Sequence, residues 1–345
     1  MDTPLKVALL GYGFAGRVFH APLIAHSHGL QLHCIGSSQT RLVEADWPGV
    51  HVRTVEQAIA DPEVDLVVVA TPNDTHAPLA IRALRHGKHV VVDKPFALDV
   101  AEAGAMIDAA QQAGRVLSVF HNRRWDSDFL SARALVESGV LGEIAEFHSH
   151  FDRFRPQVGD RWRERDEAGA GLWFDLGPHL LDQALQLFGM PQAILVDIAR
   201  QRQPDQAPDY FHASLRYPRL RVLLHAGSLV HANALRMAVH GRAGSYLKYG
   251  MDTQENQLRA GILPGSAGWG VDSQPGSVIR QQDDGRQSHP AAAVPGDYRQ
   301  FYSGLADAIA SGDAPPVTAQ QALQVMRLIE LGQQSADQRR EIAVA

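Results

Sequence analysis

A glycine-rich turn near the start of the printed sequence constrains the fold more than any other feature. The string GYGFAG at residues 11–16 follows the apolar run Leu5–Leu10 and precedes a run with a helical pattern at residues 17–25. Between a strand and a helix, the first glycine permits a tight turn, the second lets the backbone approach a pyrophosphate, and the third lets the helix pack closely on the strand. We therefore predict a dinucleotide-binding turn. Its residues are Gly11, Tyr12, Gly13, Phe14, Ala15 and Gly16.

Short apolar runs alternate with helical patterns through the first third of the chain. They lie at residues 5–10, 32–35, 66–70, 89–92 and 116–120. The run that begins at Leu66 is continuously apolar, which is typical of a strand covered by crossover helices on both faces. These runs predict a doubly wound parallel sheet of the Rossmann type.

The pattern changes after Phe120. Residues 146–155 alternate as one long strand, and residues 193–249 contain several strand-like runs with short connections, which predicts a mostly antiparallel sheet. Residues 261–295 are rich in Gly, Pro, Ser and Gln and predict a long loop, followed by helices at residues 297–311 and 318–334.

A chain of 345 residues is long enough for two domains. We predict an α/β Rossmann domain at residues 1–121, followed by an α+β domain at residues 122–345 whose mostly antiparallel sheet is open. The second domain is expected to bind substrate and to form oligomers, and the C-terminal helices are expected to be able to pack back on the first domain.

Charge and cysteine content exclude several classes of protein. The net charge is −6, which gives no electrostatic reason to expect a nucleic acid or an anionic membrane as partner. Cys34 is the one cysteine, so no intrachain disulfide can form, and this fits a reducing cytoplasm. No signal peptide or membrane span is expected from the sequence.

The residues after the second predicted strand favour NADP over NAD. An NAD enzyme usually has an Asp or Glu there, which binds the ribose 2′-hydroxyl, whereas this chain has Ser37, Ser38 and then Arg41. Hydroxyl groups and a guanidinium can bind a 2′-phosphate, which a carboxylate would repel. Two alternatives remain: Arg41 is an ordinary solvated residue, or Asp46 is the acidic residue and the cofactor is NAD.

Lys94 follows the predicted strand at residues 89–92, at the end of the strand where folds of this type bind ligands. A lysine there would be partly desolvated, which lowers its pKa, and it could both take a hydroxyl proton and steady an alkoxide. Asp175 and His179 stand four residues apart with Pro178 between them. Proline is tolerated in a first helical turn, so a helix that begins near Asp175 would place both side chains on one face.

Four motifs in this order resemble the Gfo/Idh/MocA family of oxidoreductases. They are GYGFAG at 11–16, ATPNDTH at 70–76, GKHVVVDKP at 87–95 and DLGPHLLD at 175–182. Residues 248–270 resemble the NADP-dependent scyllo-inositol dehydrogenase-like subgroup. The family motif is usually E-K-P, so Asp93 is a departure that keeps the carboxylate.

The resemblance implies site residues beyond the glycine turn. Lys94 would be the proton acceptor, assisted by His179, with Asp175 orienting the histidine or binding a hydroxyl. Cofactor contacts are implied for Ala70, Thr71, Pro72, Asn73, His76, Asp93, Lys94, Pro95, Asn122, Trp162 and Arg163. Substrate contacts are implied for Lys94, Arg124, Asp175 and His179. His76 has the alternative of capping or packing, and Trp162 that of a structural role.

These observations predict an NADP-dependent, or alternatively NAD-dependent, dehydrogenase that acts on a polyol, cyclitol or sugar. The alternatives are a non-catalytic dinucleotide-sensing regulator and a reductase or dehydrogenase of dihydrodiols or bilins. The family commonly associates through the second-domain sheet, so a homodimer or homotetramer is expected.

A metal site is the weaker interpretation of the histidines. Glu146, His148, His150 and Asp152 would share one face of a strand at a spacing that could bind zinc. Because sheet faces commonly carry polar side chains and hydride transfer needs no metal, the sequence-based prediction is that no metal is bound.

Overall fold

A computed structural model describes residues 3–159, 164–167, 169–232 and 235–344. The chain divides into two compact units, and neither is one continuous stretch of sequence. The first unit comprises residues 1–125, 254–269 and 297–326, and the second comprises residues 126–253, 270–296 and 327–345. The C-terminal part of the chain therefore contributes residues 297–326 to the first unit and residues 327–345 to the second.

The first unit is built on a six-stranded parallel sheet. Its strands are β1 (Leu5–Leu10), β2 (Leu30–Gly36), β3 (His51–Arg53), β4 (Leu66–Val69), β5 (His89–Val92) and β6 (Leu117–Val119). The strand order is β3-β2-β1-β4-β5-β6, and each adjacent pair is parallel. This is the doubly wound order predicted from the apolar runs, with its switch point between β1 and β4.

Helices connect these strands. They are α1 (Ala21–Ala25), α2 (Thr40–Asp46), α3 (Val55–Ala60), α4 (His76–Arg85) and α5 (Val100–Ala113), with α8 (Gln254–Arg259) and α9 (Arg299–Ser311) from later in the chain. All four residues of β4 are fully buried, because helices cover both faces of the sheet. The helix expected at residues 17–25 begins with a π-helical segment, Gly16–His20, ahead of α1. Pro22 in α1 has no N–H to donate, and this removes an α-helical hydrogen bond at the junction.

The second unit is built on a nine-stranded, mostly antiparallel sheet, as predicted. Its strands are β7 (Ile144–His150), β8 (Ala193–Ala199), β9 (Tyr210–Arg216), β10 (Arg221–Gly227), β11 (Leu235–Gly241), β12 (Gly244–Tyr249), β13 (Ser277–Gln282), β14 (Gly285–Pro290) and β15 (Ile342–Ala343). The order is β14-β13-β12-β11-β7-β10-β9-β8-β15, and β7 and β10 form the parallel pair. Its helices are α6 (Ser127–Glu137), α7 (Leu172–Phe188) and the end of α10 (Ala319–Gln338).

One face of this sheet is covered by helices. The long helix α7 packs on β9 and β10, and α6 packs on β11. Trp173 of α7 is buried against Phe211 of β9, with ring centroids 5.0 Å apart, and donates a hydrogen bond to the carbonyl of Ile329 at 3.0 Å. The side chains of β7, β9 and β10 that point to the opposite face are half-buried or exposed.

Three local predictions were wrong. The predicted loop at 261–295 contains the hairpin β13–β14, and Gly285 with φ +117° lies at its turn. Strand β7 ends at His150, although Phe151 and Arg153 still donate backbone hydrogen bonds to the chain of β10. Helix α7 begins at Leu172, so Pro178 lies inside the helix rather than in its first turn.

Within the described ranges, no helix is both long enough and apolar enough to cross a membrane.

Candidate active site

The glycine turn lies at the carboxyl end of β1, beside the end of β4. Gly11 has φ +93°, and a Cβ on it would lie 2.6 Å from the carbonyl oxygen of Ala70. A Cβ on Gly16 would collide with the carbonyl oxygen of Gly11. In contrast, a Cβ on Gly13 would meet no atom of the described residues within 4 Å. The first and third glycines are therefore required by packing, and the second leaves the backbone open for the approach of a phosphate.

The serines that follow β2 lie at the same edge of the sheet. Ser37 is half-buried and its hydroxyl accepts a hydrogen bond from the backbone of Gln39 at 3.0 Å, whereas the side chains of Ser38 and Arg41 are exposed. Asp46 lies at the far end of α2, where its carboxylate accepts hydrogen bonds from Tyr12 at 2.9 Å and from Arg17 at 2.6 Å. Asp46 is thus held by the glycine turn and the segment after it.

The residues after β4 form a braced loop. The hydroxyls of Thr71 and Thr75 are hydrogen-bonded at 2.6 Å, and Asn73 is buried. His76 is 1% exposed, and its two ring nitrogens lie 2.9 Å from the carbonyl of Pro95 and 3.0 Å from that of Thr71. Because both nitrogens face carbonyl oxygens of the protein, His76 joins this loop to the one after β5. This geometry favours the packing alternative for His76, and its cofactor contact stays a prediction.

Asp93 and Lys94 follow β5, as the sequence predicts. The Asp93 carboxylate is buried and accepts a hydrogen bond from the backbone N–H of Lys94 at 2.8 Å. Lys94 is half-buried, and its peptide bond to Pro95 is cis. Lys94 and Pro95 therefore stay predicted site residues, at the carboxyl edge of the sheet.

A buried histidine and a buried tyrosine behind Asp93 were not predicted. Nε2 of His20 lies 3.7 Å from Oδ1 of Asp93, and its Nδ1 lies 2.6 Å from the hydroxyl of Tyr302. Burial by itself would raise the pKa of Asp93, but the neighbouring His20, Lys94 and His76 outweigh it and lower that pKa to about 2. The carboxylate is therefore ionised and fixed directly next to Lys94.

The residues after β6 are buried and make contacts within the first unit. Asn122 and Arg124 lie in a short 3₁₀ helix and are buried. Nη1 of Arg124 donates to the carbonyl of Pro316 at 2.9 Å and to the side chain of Gln321 at 3.0 Å. This guanidinium holds two segments of the first unit together, which gives Arg124 a structural role, and its substrate contact stays a prediction. The cofactor contact of Asn122 stays a prediction.

Asp175 and His179 belong to the second unit. They stand one turn apart on α7, in the first and second turns of the helix, which places their side chains on one face as predicted. His179 is 5% exposed and Asp175 is half-buried. The other predicted cofactor residues of this part of the chain, Trp162 and Arg163, lie outside the described residues.

Comparisons with known proteins agree with this architecture. Residues 5–121 match the NAD-binding Rossmann fold of the Gfo/Idh/MocA oxidoreductase family, and residues 133–344 match the C-terminal alpha/beta domain of the same family. A solved oxidoreductase structure from Yersinia pestis is 48% identical with a TM-score of 0.96, and the match covers 100% of this chain and 98% of that one.

Two full-length relatives differ in what their names state. The chain is 50% identical to the uncharacterized oxidoreductase YdgJ of Escherichia coli (strain K12), over 100% of both proteins. It is 39% identical to the scyllo-inositol 2-dehydrogenase (NADP(+)) IolW of Bacillus subtilis (strain 168), over 99% of this chain and 96% of that protein. The two domain matches, the strand order of both sheets and the full-length relatives together show that this chain belongs to the Gfo/Idh/MocA family of oxidoreductases, with an NAD(P)-binding Rossmann domain.

Proposed function

We propose that this protein is an NADP-dependent dehydrogenase that moves hydride between the nicotinamide and a secondary alcohol or ketone of a cyclitol or sugar. The observation that carries the proposal is the placement of Lys94 beside an ionised, buried Asp93 at the carboxyl end of β5. Ligands bind at this edge of a doubly wound sheet. The activity for which the Bacillus subtilis relative is named makes scyllo-inositol the first substrate to test.

The glycine turn fits the pyrophosphate of such a cofactor, since a Cβ on Gly13 would fill space that the described protein atoms leave open. When bound, the nicotinamide supplies the hydride acceptor. In our proposal the Nζ of Lys94 takes the proton of the reacting hydroxyl and stabilises the developing negative charge on its oxygen. The Asp93 carboxylate accepts a hydrogen bond from the backbone N–H of Lys94, and the imidazole of His20 lies 3.7 Å from that carboxylate.

We further propose that Asp175 and His179 contact the substrate. Their spacing of one helical turn allows both to address neighbouring hydroxyls of one polyol ring. We assign to His179 the assisting role in proton transfer and to Asp175 the binding of a hydroxyl or the orientation of the imidazole.

The preference for NADP rests on the end of β2. The carboxylate that could have bound a ribose 2′-hydroxyl, Asp46, is already bound to Tyr12 and Arg17. The polar groups that follow β2 are then the hydroxyls of Ser37 and Ser38 and the exposed guanidinium of Arg41. In our proposal these groups bind the 2′-phosphate of NADP. A charge-assisted contact of this kind contributes roughly 1.5–3 kcal/mol.

A screen of inositols and aldoses with both cofactors tests the proposal. We expect turnover with a cyclitol and NADP, and an Arg41→Ala variant should raise the KM for NADP by roughly 10-fold or more while leaving the KM for NAD unchanged. Arg85→Ala, which removes an exposed arginine at the end of α4, is the matched control.

Two results would contradict the proposal. Equal rates with NAD and NADP would refute the role of Ser37, Ser38 and Arg41. Binding of the dinucleotide without turnover of any polyol would instead favour a regulator that senses the cofactor.

A further inference from the structure

A row of histidines crosses the face of the second-unit sheet that points away from α7. His225 of β10 pairs directly with His150 of the parallel strand β7 and with His212 of β9, so these side chains share one face. His148 lies two residues before His150, and His240 of β11 pairs with Glu146. The ring centroids of neighbours in the row lie 5.3 to 6.0 Å apart.

Asp152 stands between two of these histidines. Its Oδ2 lies 3.4 Å from Nδ1 of His150, and its Oδ1 lies 3.4 Å from Nε2 of His225. The potential ligand atoms of the three residues all lie within 4.8 Å of one another. Two imidazoles and one carboxylate are therefore grouped closely, although Asp152 and His225 are far apart in the sequence.

The two distances fit a shared cation better than direct hydrogen bonds. A charge-assisted N–H···O hydrogen bond is about 2.7–2.9 Å long, so 3.4 Å is too long for a good one. Ligand atoms that lie about 2.0–2.1 Å from one tetrahedral metal ion are separated by roughly 3.3–3.4 Å. The distance from Oδ2 of Asp152 to His150 and that from Oδ1 to His225 are each close to the separation of two ligand atoms on one ion.

We propose that His150, Asp152 and His225 bind a divalent transition-metal ion of the Zn²⁺ type. Two histidines and one carboxylate are a ligand set that proteins use for zinc and for ferrous iron. The site is independent of the proposed dehydrogenase residues, none of which belongs to this cluster.

The surroundings of the three residues hold the ligands in place. The Asp152 side chain is 6% exposed, and its Oδ1 accepts a hydrogen bond from the backbone N–H of Gly227 at 3.1 Å.

A cavity of about 440 Å³ adjoins the cluster, and His150 and Asp152 line it together with Phe154, His231 and Met251. Three protein ligands beside a cavity leave the fourth coordination position for water or an oxygen of a small molecule.

Two other groups of potential ligands are less suitable. Glu146 is hydrogen-bonded directly to His148, and His240 is bonded to the hydroxyl of Ser245 at 2.9 Å, so those donors are already used. In the first unit, His33 and Asp61 approach Glu63, but the Glu63 carboxylate is exposed and paired with Lys6 at 2.7 Å. These two groups supply the control variants.

The test is a titration of the chelator-treated full-length protein with Zn²⁺ against a chromophoric chelator, and with Co²⁺ by visible absorption. We expect one tight equivalent in the wild type, with a Co²⁺ spectrum typical of nitrogen and oxygen ligands. His225→Asn and Asp152→Asn should each weaken binding by about 100-fold or more, whereas His33→Asn and His240→Asn should leave it unchanged.

Loss of folding is checked by circular dichroism of the metal-free variants. Should His225→Asn fail to fold, the wild-type Co²⁺ spectrum and the Asp152→Asn titration decide the question. The proposal is overturned if the wild type binds no stoichiometric metal, if both ligand variants bind as tightly as the wild type, or if His240→Asn abolishes binding. Dinucleotide binding in the chelator-treated protein is measured separately, because it reports on the dehydrogenase proposal and not on this site.

Discussion

Replacing Gly13 by alanine should weaken cofactor binding while leaving the stability of the fold unchanged. A Cβ at this position meets no described protein atom within 4 Å, and Gly13 does not have a positive φ, so the substitution should change the free energy of unfolding by less than about 0.5 kcal/mol. The added methyl group would instead occupy the space through which the pyrophosphate approaches the backbone. We expect the dissociation constant for NADPH to rise by at least about 10-fold, which corresponds to about 1.4 kcal/mol.

Two other glycine substitutions serve as controls for folding and for cofactor binding. At Gly16 a Cβ would lie closer to the carbonyl oxygen of Gly11 than the 3.0 Å that Cβ contacts essentially never pass, so Gly16→Ala should destabilise the fold itself. Gly104→Ala adds a methyl group without a neighbour within 4 Å, inside α5, and should leave cofactor binding intact.

The assay combines urea unfolding with titration of NADPH fluorescence. Unchanged NADPH affinity in Gly13→Ala, with the fold intact, would refute the assignment of this turn to the pyrophosphate. A large loss of stability in that variant would refute the geometric argument from open space.

The remaining predictions concern acid stability and the core of the second unit. Burial opposes ionisation of Asp93, yet His20, Lys94 and His76 lower its pKa from the ordinary 3.8 to about 2, so its contribution to stability is present above pH ~4 and is lost as the pH falls through about 2. Urea unfolding from about pH 5 to about pH 2 should therefore show an acid-dependent loss of about 2 kcal/mol that Asp93→Asn lacks; equal slopes would contradict the network. Trp173→Phe loses the hydrogen bond to Ile329 and part of a buried ring, and should lower the unfolding free energy by about 1–3 kcal/mol. A change below about 0.5 kcal/mol would contradict that packing.

Local patterns were enough to predict the parallel sheet and its loops. The glycine turn combines a conformational requirement at Gly11 with close packing at Gly16, and both follow from residues adjacent in the sequence. Continuous apolar runs such as Leu66–Val69 indicate burial on both faces, which is typical of a parallel sheet. In a doubly wound parallel sheet, ligands bind at the carboxyl ends of the strands.

Elements with weak or misleading local signals were not predicted. The hairpin β13–β14 consists largely of polar, exposed residues, so it lacks the apolar alternation of a strand, although Asp284 and Gly285 form a recognisable turn signal. Helix α7 continues through Pro178 because its buried apolar face outweighs the loss of one backbone hydrogen bond. Tertiary packing, which the sequence pattern does not contain, decided this element.

Contacts between distant residues explain the parts of the site that sequence reasoning missed. His20 and Tyr302 are 282 residues apart, and the fold alone brings them together behind Asp93. Likewise, the alternation along β7 indicated a group of Glu146, His148, His150 and Asp152, whereas the sheet pairs His150 with His225 of β10. In the sequence, Arg124 and His76 are simply polar residues that follow predicted strands. The structure adds that their side chains contact carbonyl groups of the protein.

The most direct test of the proposed reaction is the rate of nicotinamide reduction by the wild type and by Lys94→Ala, with NADP and the best cyclitol substrate from the screen. We predict that Lys94→Ala lowers kcat by at least about 100-fold while the dissociation constant for NADPH stays within about two-fold of the wild-type value. Turnover at the wild-type rate in that variant would show that Lys94 is not the group that accepts the substrate proton.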